Sequence, residues 1–150
     1  SYNPSYPKDF KWVQKDEKIK KEFIEIYNQI IKSYPVDKAK IIFAGMSAGG
    51  KKAMDFTLNN YFPVSGLVLN CPVPPQDITN EMITRFVETN KRIGIITGAN
   101  DFALEGQKSF VSKIDSLGGQ ARIIVNDSLG HEFAENFTEL LNEYLGWVIE

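Results

Sequence analysis

The chain has 150 residues, 43% of them apolar and 24% charged, which fits one folded domain over residues 1–150 and excludes wholesale disorder. Lys and Arg total 17 against 19 Asp and Glu, a net charge of −2 that argues against a nucleic-acid partner. No apolar run nears the ~18 residues needed to cross a bilayer. One cysteine leaves no internal disulfide, which leans towards a reducing compartment, and one histidine excludes a His-rich metal site. The opening Ser1-Tyr2-Asn3-Pro4-Ser5-Tyr6-Pro7 has neither an initiator Met nor the apolar stretch of a signal peptide. A cut piece of a longer chain is expected, or a start engineered just downstream of Met.

In chain order, Asp16 to Ser33 reads as an amphipathic helix. Ile19, Phe23, Ile26, Tyr27, Ile30 and Ile31 fall at offsets 0, 4, 7, 8, 11 and 12, one stripe at the helical period. Tyr34-Pro35 ends it, because the residue before proline is pushed out of the helical region. Lys40 to Met46 is a continuous apolar run ending beside glycine, as for a strand buried on both faces. A helix is expected from Ala48 to Asn60. Gly66 to Cys71 reads as the second strand, closed by Pro72-Val73-Pro74-Pro75, and Asp77 to Thr89 as a helix with Met82, Ile83, Phe86 and Val87 on one face. Arg92 to Thr97 is the third strand. The helix carrying Phe110, Val111, Ile114 and Leu117 should end at Gly118-Gly119. Ala121 to Asn126 is the fourth strand, and Glu132 to Trp147 the final helix, burying Phe133, Phe137, Leu140, Leu141, Tyr144 and Leu145. Trp12 and Trp147 carry no assigned role.

Strands alternating with helices through short connections imply right-handed crossovers and an α/β fold, a mostly parallel sheet with helices on both faces. Ligands of such sheets bind outside the carboxyl ends of the strands. Those ends carry Gly45-Met46-Ser47-Ala48-Gly49-Gly50, then Asn70-Cys71-Pro72, then Asn100-Asp101, then a loop with Gly130-His131. A serine, an acid and a histidine emerge at one rim. Gly45 to Gly49 fits G-x-S-x-G between a strand and a helix, the context that motif requires. The serine would sit on a sharp strained turn, with glycines at 45 and 49 removing collisions, and the Ala48 N–H would face a forming oxyanion. The competing reading is a glycine-rich phosphate cradle, although neither G-x-G-x-x-G nor G-x-x-x-x-G-K-[ST] fits here.

The order Ser47, Asp101, His131 after successive parallel strands, with the stretch from Tyr34 to Gly50, resembles the C-terminal two-thirds of an α/β-hydrolase. The likeness is to esterases of the carboxylesterase, dienelactone-hydrolase and polyester-depolymerase type and covers about residues 10 to 150. It implies Ser47 as nucleophile, His131 as general base and Asp101, in a G-x-x-D turn, as the acid orienting the imidazole. A lone histidine is otherwise more often a surface or capping residue. His131 would lie immediately before a helix, whose N-terminus would keep the ring neutral. Asp101 could equally cap a helix starting at Phe102. Asp77, which looks like the cap of its own helix, and Asp127, which would close a turn, are the rival acids. Cys71 reads as packing. Met46, Pro72, Phe102 and Phe133 are candidates for an apolar acyl pocket.

Such hydrolases carry a second oxyanion donor on a loop after an earlier strand, and no such loop occurs here. The Lys40–Met46 strand would then be an apolar edge, which invites pairing with a second copy or with a complementing N-terminal segment. The expected activity is cleavage of carboxylic esters or thioesters through an acyl-enzyme, with no metal or organic cofactor. A non-catalytic binding module on the same fold is the alternative, and a doubly wound nucleotide binder a third reading that leaves Asp101 and His131 unexplained.

Overall fold

The computed structural model describes residues 16–150, so Trp12 and the start of the stretch resembling esterases lie outside the described residues. The chain divides into two compact units, the first ending at Val36 and the second spanning Asp37–Glu150. In the first, α1 (Asp16–Ser33) forms with the bounds expected from its periodicity. Of its stripe, Ile19 is buried whereas Phe23, Ile26 and Ile30 are exposed.

The second unit runs β1 (Ile42–Met46), α2 (Ser47–Leu58), β2 (Gly66–Asn70), α3 (Asn80–Glu88), β3 (Arg92–Gly98), α4 (Leu104–Ser116), β4 (Gln120–Asn126) and α5 (Phe137–Ile149). The four strands are parallel and pair in sequence order, β1-β2-β3-β4, so all their carboxyl ends share one rim. A single 3-10 turn, Lys38–Lys40, precedes β1, and the Asp37 side chain caps it by accepting from the Ala39 N–H.

Alternation along the central strands splits the core between two faces. Leu67, Leu69, Ile93 and Ile95 pack against Met54 and Leu58 of α2, Ile83 and Phe86 of α3, and Phe110 and Ile114 of α4. Val68 and Ile96 point the other way, onto Tyr144 and Val148 of α5. Every residue of β2 is buried, as is β3 beyond Arg92, so these runs read as continuous apolar sequence because both of their faces are covered. The expectation of burial on both faces fails for β1, which lies at one edge of the sheet among the described residues: no residue of it is fully buried and Ala44 is exposed. The helix α4 stops as expected, with Gly118 at φ +81, its N–H bonded to the Asp115 carbonyl and that of Gly119 to the Ile114 carbonyl. This paired closure satisfies two carbonyls that the last turn would otherwise leave open.

Two helix starts differ from the sequence reading. The helix α3 begins at Asn80 and its cap is Thr79, whose hydroxyl accepts from the Met82 N–H, so Asp77 caps nothing. The final helix begins at Phe137, not at Glu132. The Glu132 carbonyl instead accepts from the Asn70 side-chain amide at 3.2 Å, which ties this segment to the end of β2. The chain turns at Glu135-Asn136 before the helix can start. Phe133, expected in the buried face of that helix, is therefore on the connecting loop and 52% exposed.

Candidate active site

Ser47 is the first residue of α2 and follows β1 directly. Its backbone has φ 51, in the left-handed region that non-glycine residues rarely adopt and that costs on the order of 1–3 kcal/mol. Only the close approach of strand and helix can hold it there. A Cβ on Gly45 would lie 2.6 Å from the Gly49 carbonyl carbon and 2.7 Å from the Gly50 nitrogen, so position 45 admits glycine alone. The expected reason for Gly49 does not hold, because a Cβ there meets nothing within 4 Å. The constrained partner is Gly50, where a Cβ would come within 3.0 Å of the Pro72 ring. The serine is thus lifted out of the sheet by backbone packing at Gly45 and Gly50.

Asp101 and His131 meet at the same rim. The His131 Nδ1 lies 3.0 Å from the Asp101 Oδ2, with the carboxylate side chain fully buried and the imidazole 25% exposed. Against an ionised carboxylate Nδ1 carries the proton, which leaves Nε2 as an acceptor. The other carboxylate oxygen, Oδ1, accepts from the Ala103 N–H at 2.7 Å. The helix-cap and imidazole-orienting roles weighed for Asp101 therefore use different oxygens, although the helix itself starts only at Leu104. Burial alone would push the Asp101 carboxyl up. The Ala103 amide, the Cys71 thiol and His131 outweigh it and hold the group below the usual carboxylate range. Because α5 begins at Phe137, six residues after His131, the expected helix N-terminus does not directly follow the imidazole.

Two contributors escaped the sequence reading. The buried Thr97 hydroxyl donates to the Asp101 Oδ2 at 3.2 Å, a contact between the end of β3 and the turn beyond it. The only available signal was a polar residue closing an otherwise apolar strand. Gly98 is the second. A Cβ there would lie 2.2 Å from the Leu129 carbonyl oxygen, and the Asn100 N–H bonds that same carbonyl at 2.9 Å. This glycine lets the loop bearing His131 lie down on the end of β3. Cys71 is buried as expected, but its thiol sits among the site residues, against Asp101, 3.8 Å from the Thr97 hydroxyl and 3.4 Å from the Glu132 carbonyl. Burial, then the Asp101 carboxylate, push this thiol up, which keeps it protonated and a poor nucleophile.

Ser47 directly follows the strand that pairs with β2. Met46, just before it, pairs with Asn70, whose side chain holds the Glu132 carbonyl next to His131. Neighbouring strands lie about 4.8 Å apart, so the serine turn and the histidine loop flank the end of one strand, β2. Among the described residues no hydrogen bond joins Ser47 to His131. The Ala48 N–H belongs to the first turn of α2, where amides have no partner within the helix.

An open groove of about 280 Å³ adjoins the serine turn, lined by Ala44, Gly45, Met46, Asn70, Phe133 and Leu141 among others. Phe102 is 75% exposed and its ring stacks on His131 with centroids 4.6 Å apart. Pro72 differs from the expectation. It is buried against Gly50, with its carbonyl held by the Gln107 side chain at 2.9 Å, and backs the serine turn without lining the mouth. The rival acids stay away from this constellation: Asp77 lies exposed before α3 and Asp127 in the turn after β4.

No protein-family model matches the chain, and no curated protein matches it in sequence. Solved structures do. An uncharacterized protein from Bacillus cereus superposes with TM-score 0.80 at 25% identity, over 88% of this chain and 43% of that one. The Bacillus cereus carboxylesterase gives TM-score 0.69 at 19% identity, covering 93% and 68%, and Arabidopsis thaliana SOBER1 gives 0.69 at 17%, covering 89% and 64%. This chain therefore shares the α/β fold of these structures and spans between less than half and about two-thirds of their length.

Proposed function

We propose that the protein is a serine hydrolase of carboxylic esters or thioesters. The observation that carries this reading is the buried carboxylate–imidazole pair, 3.0 Å long, at the rim where a serine stands at positive φ. In the proposed reaction Ser47 Oγ attacks the substrate carbonyl while Nε2 of His131 takes its proton, and Asp101 holds the ring in that tautomer and stabilises the cation. The Ala48 N–H, at the positive end of α2, receives the charge on the carbonyl oxygen. The proton then passes to the leaving group, and water attacks the acyl-Ser47 by the same route. Met46 contacts the acyl group, and the exposed Phe102 ring limits how the substrate enters over His131. Esterases among the similar structures support the reaction class.

The test is turnover of p-nitrophenyl acetate together with labelling by a fluorophosphonate. Modification of Ser47, lost in Ser47→Ala, is expected. An intact, folded protein that neither turns over the ester nor takes the label at Ser47 refutes the reading. One observation favours a non-catalytic binding module: the missing hydrogen bond between Ser47 and His131 among the described residues. That bond often tightens only when substrate is bound. Acyl-enzyme in the mass spectrum separates the two readings, since a binding module forms none.

We further propose that a complementing polypeptide segment pairs with the outer side of β1, which no strand among the described residues covers, and brings the second oxyanion donor. The half-exposed edge of β1 and the greater length of the similar chains support a segment over a second copy. Loss of one such donor typically costs about 2.7–4 kcal/mol of transition-state stabilisation.

A further inference from the structure

We propose that Cys71, Asp101 and His131 form a site for one thiophilic divalent cation, of the Zn²⁺ or Cd²⁺ kind, and that filling it switches the hydrolase off. The cation site stands on geometry alone, whereas its inhibitory effect rests on the function proposed above. The Cys71 Sγ, a carboxylate oxygen of Asp101 and a ring nitrogen of His131 all lie within 4.8 Å of one another. They come from three different strand ends, so they share this volume through the fold and not through a local sequence motif. A thiolate, an imidazole and a carboxylate are the donors that zinc takes, at about 2.3, 2.0–2.1 and 2.0–2.2 Å. Donors so placed on a tetrahedral ion stand roughly 3.4–3.6 Å apart, so movements on the order of an ångström would close the site. Further oxygens are at hand, with the Glu132 carbonyl 3.4 Å and the Thr97 hydroxyl 3.8 Å from Sγ.

The backbone of Cys71 is tightly held where its thiol enters this group. It has φ 45, one residue after β2 ends, although nothing about a small packing residue calls for a left-handed conformation. Its N–H is meanwhile bonded to the Ile96 carbonyl at 2.8 Å. Strain of this kind persists only where the surroundings enforce it, and it gathers at functional sites. Here it accompanies a thiol lodged among Asp101, Thr97 and the His131 loop.

Binding is an exchange of protons for coordinate bonds, with no change of oxidation state. The S–H bond of Cys71 breaks, its proton leaves to solvent, and the sulfur lone pair binds the cation. His131 gives Nδ1 to the cation and its ring proton reappears on Nε2, so the imidazole stays neutral and one proton is released per ion. An Nε2 that carries a proton cannot accept one from Ser47. Inhibition follows from the tautomer, without any block at the mouth of the site.

The experiment titrates the full chain with Cd²⁺, following the ultraviolet sulfur-to-cadmium charge-transfer band, with equilibrium dialysis for stoichiometry. One ion per chain is expected. The band should vanish in Cys71→Ser, and His131→Gln and Asp101→Asn should each weaken binding by at least the ~10–100-fold that even outer partners of a metal site are worth. Circular dichroism identifies any variant that fails to fold, and His131→Asn then stands in for His131→Gln. No band, or affinity unchanged in both the histidine and the aspartate variants, overturns the site. In the second arm, Cd²⁺ should abolish p-nitrophenyl acetate turnover in the natural chain, with chelator restoring it, and should leave unchanged whatever turnover Cys71→Ser has without Cd²⁺. Turnover that persists with the optical site full overturns the inhibition. A filled site in a chain that never turns over ester leaves the cation site standing and removes the hydrolase reading instead.

Discussion

At the scale of single residues, the chemistry gathers on Asp101. Its buried carboxylate accepts from Ala103, Thr97 and His131, and each donor removes part of the cost of keeping a charge out of water. Thr97→Val takes away one hydrogen bond to a charged group and should cost about 1.5–3 kcal/mol in denaturant unfolding, with kcat falling and KM little changed. Because the folded carboxyl titrates below its ordinary value, it contributes stability above the unfolded value of about 3.9. That contribution disappears as pH falls through the lower folded value. Acid titration of unfolding free energy should therefore steepen below about pH 4, and Asp101→Asn should flatten that limb. An unchanged acid limb would show that the carboxylate is not held down. Ser47→Ala should lower ester turnover at least ~10³-fold with little change in stability, since the hydroxyl makes no hydrogen bond to His131.

Between elements, the site depends on how closely backbones approach. The loop after β4 rests on Gly98, and an added Cβ would meet the Leu129 carbonyl at 2.2 Å. Gly98→Val should displace the loop, lower the melting temperature by several degrees and remove the His131–Asp101 contact, seen as loss of the downfield imidazole N–H resonance together with turnover. A fully active Gly98→Val would mean that the loop does not need that approach. The same contacts explain why the last helix starts late. A periodic apolar pattern marks where a helix is possible, but the Glu132 carbonyl is already taken by Asn70 from another strand. Helix starts depend on which carbonyls and amides find partners elsewhere, and that is a non-local matter.

For the whole molecule, the proposed chemistry turns on the edge of the sheet. Among the described residues no strand pairs with the outer side of β1, beside half-exposed Ile42, Phe43 and Met46. Such an edge recruits another strand. The chain without its complement should self-associate at micromolar concentration by light scattering, and its ester turnover should sit some 10²–10³-fold below that of a complemented enzyme. A monodisperse monomer with the turnover of the longer enzymes would defeat the proposal for β1.

The order of strands and helices, and the positions of Ser47, Asp101 and His131 at strand ends, were legible in the sequence. Apolar runs that stop at glycine or proline report burial on both faces in β2 and β3, whereas the like run of β1 is half-exposed because it stands at the sheet edge. The first glycine of the G-x-S-x-G turn is legible because the clash it avoids, with the backbone of Gly49 and Gly50, is local. What the tertiary structure alone decided is which groups meet across strands. Thr97 on the carboxylate, Cys71 among the site residues, Pro72 turned inward behind Gly50 and Phe133 left on a loop all depend on distances between strand ends. Those distances follow from parallel register and from backbone contact at Gly98 and Gly50, between residues far apart in the chain, and no local pattern of residues encodes them.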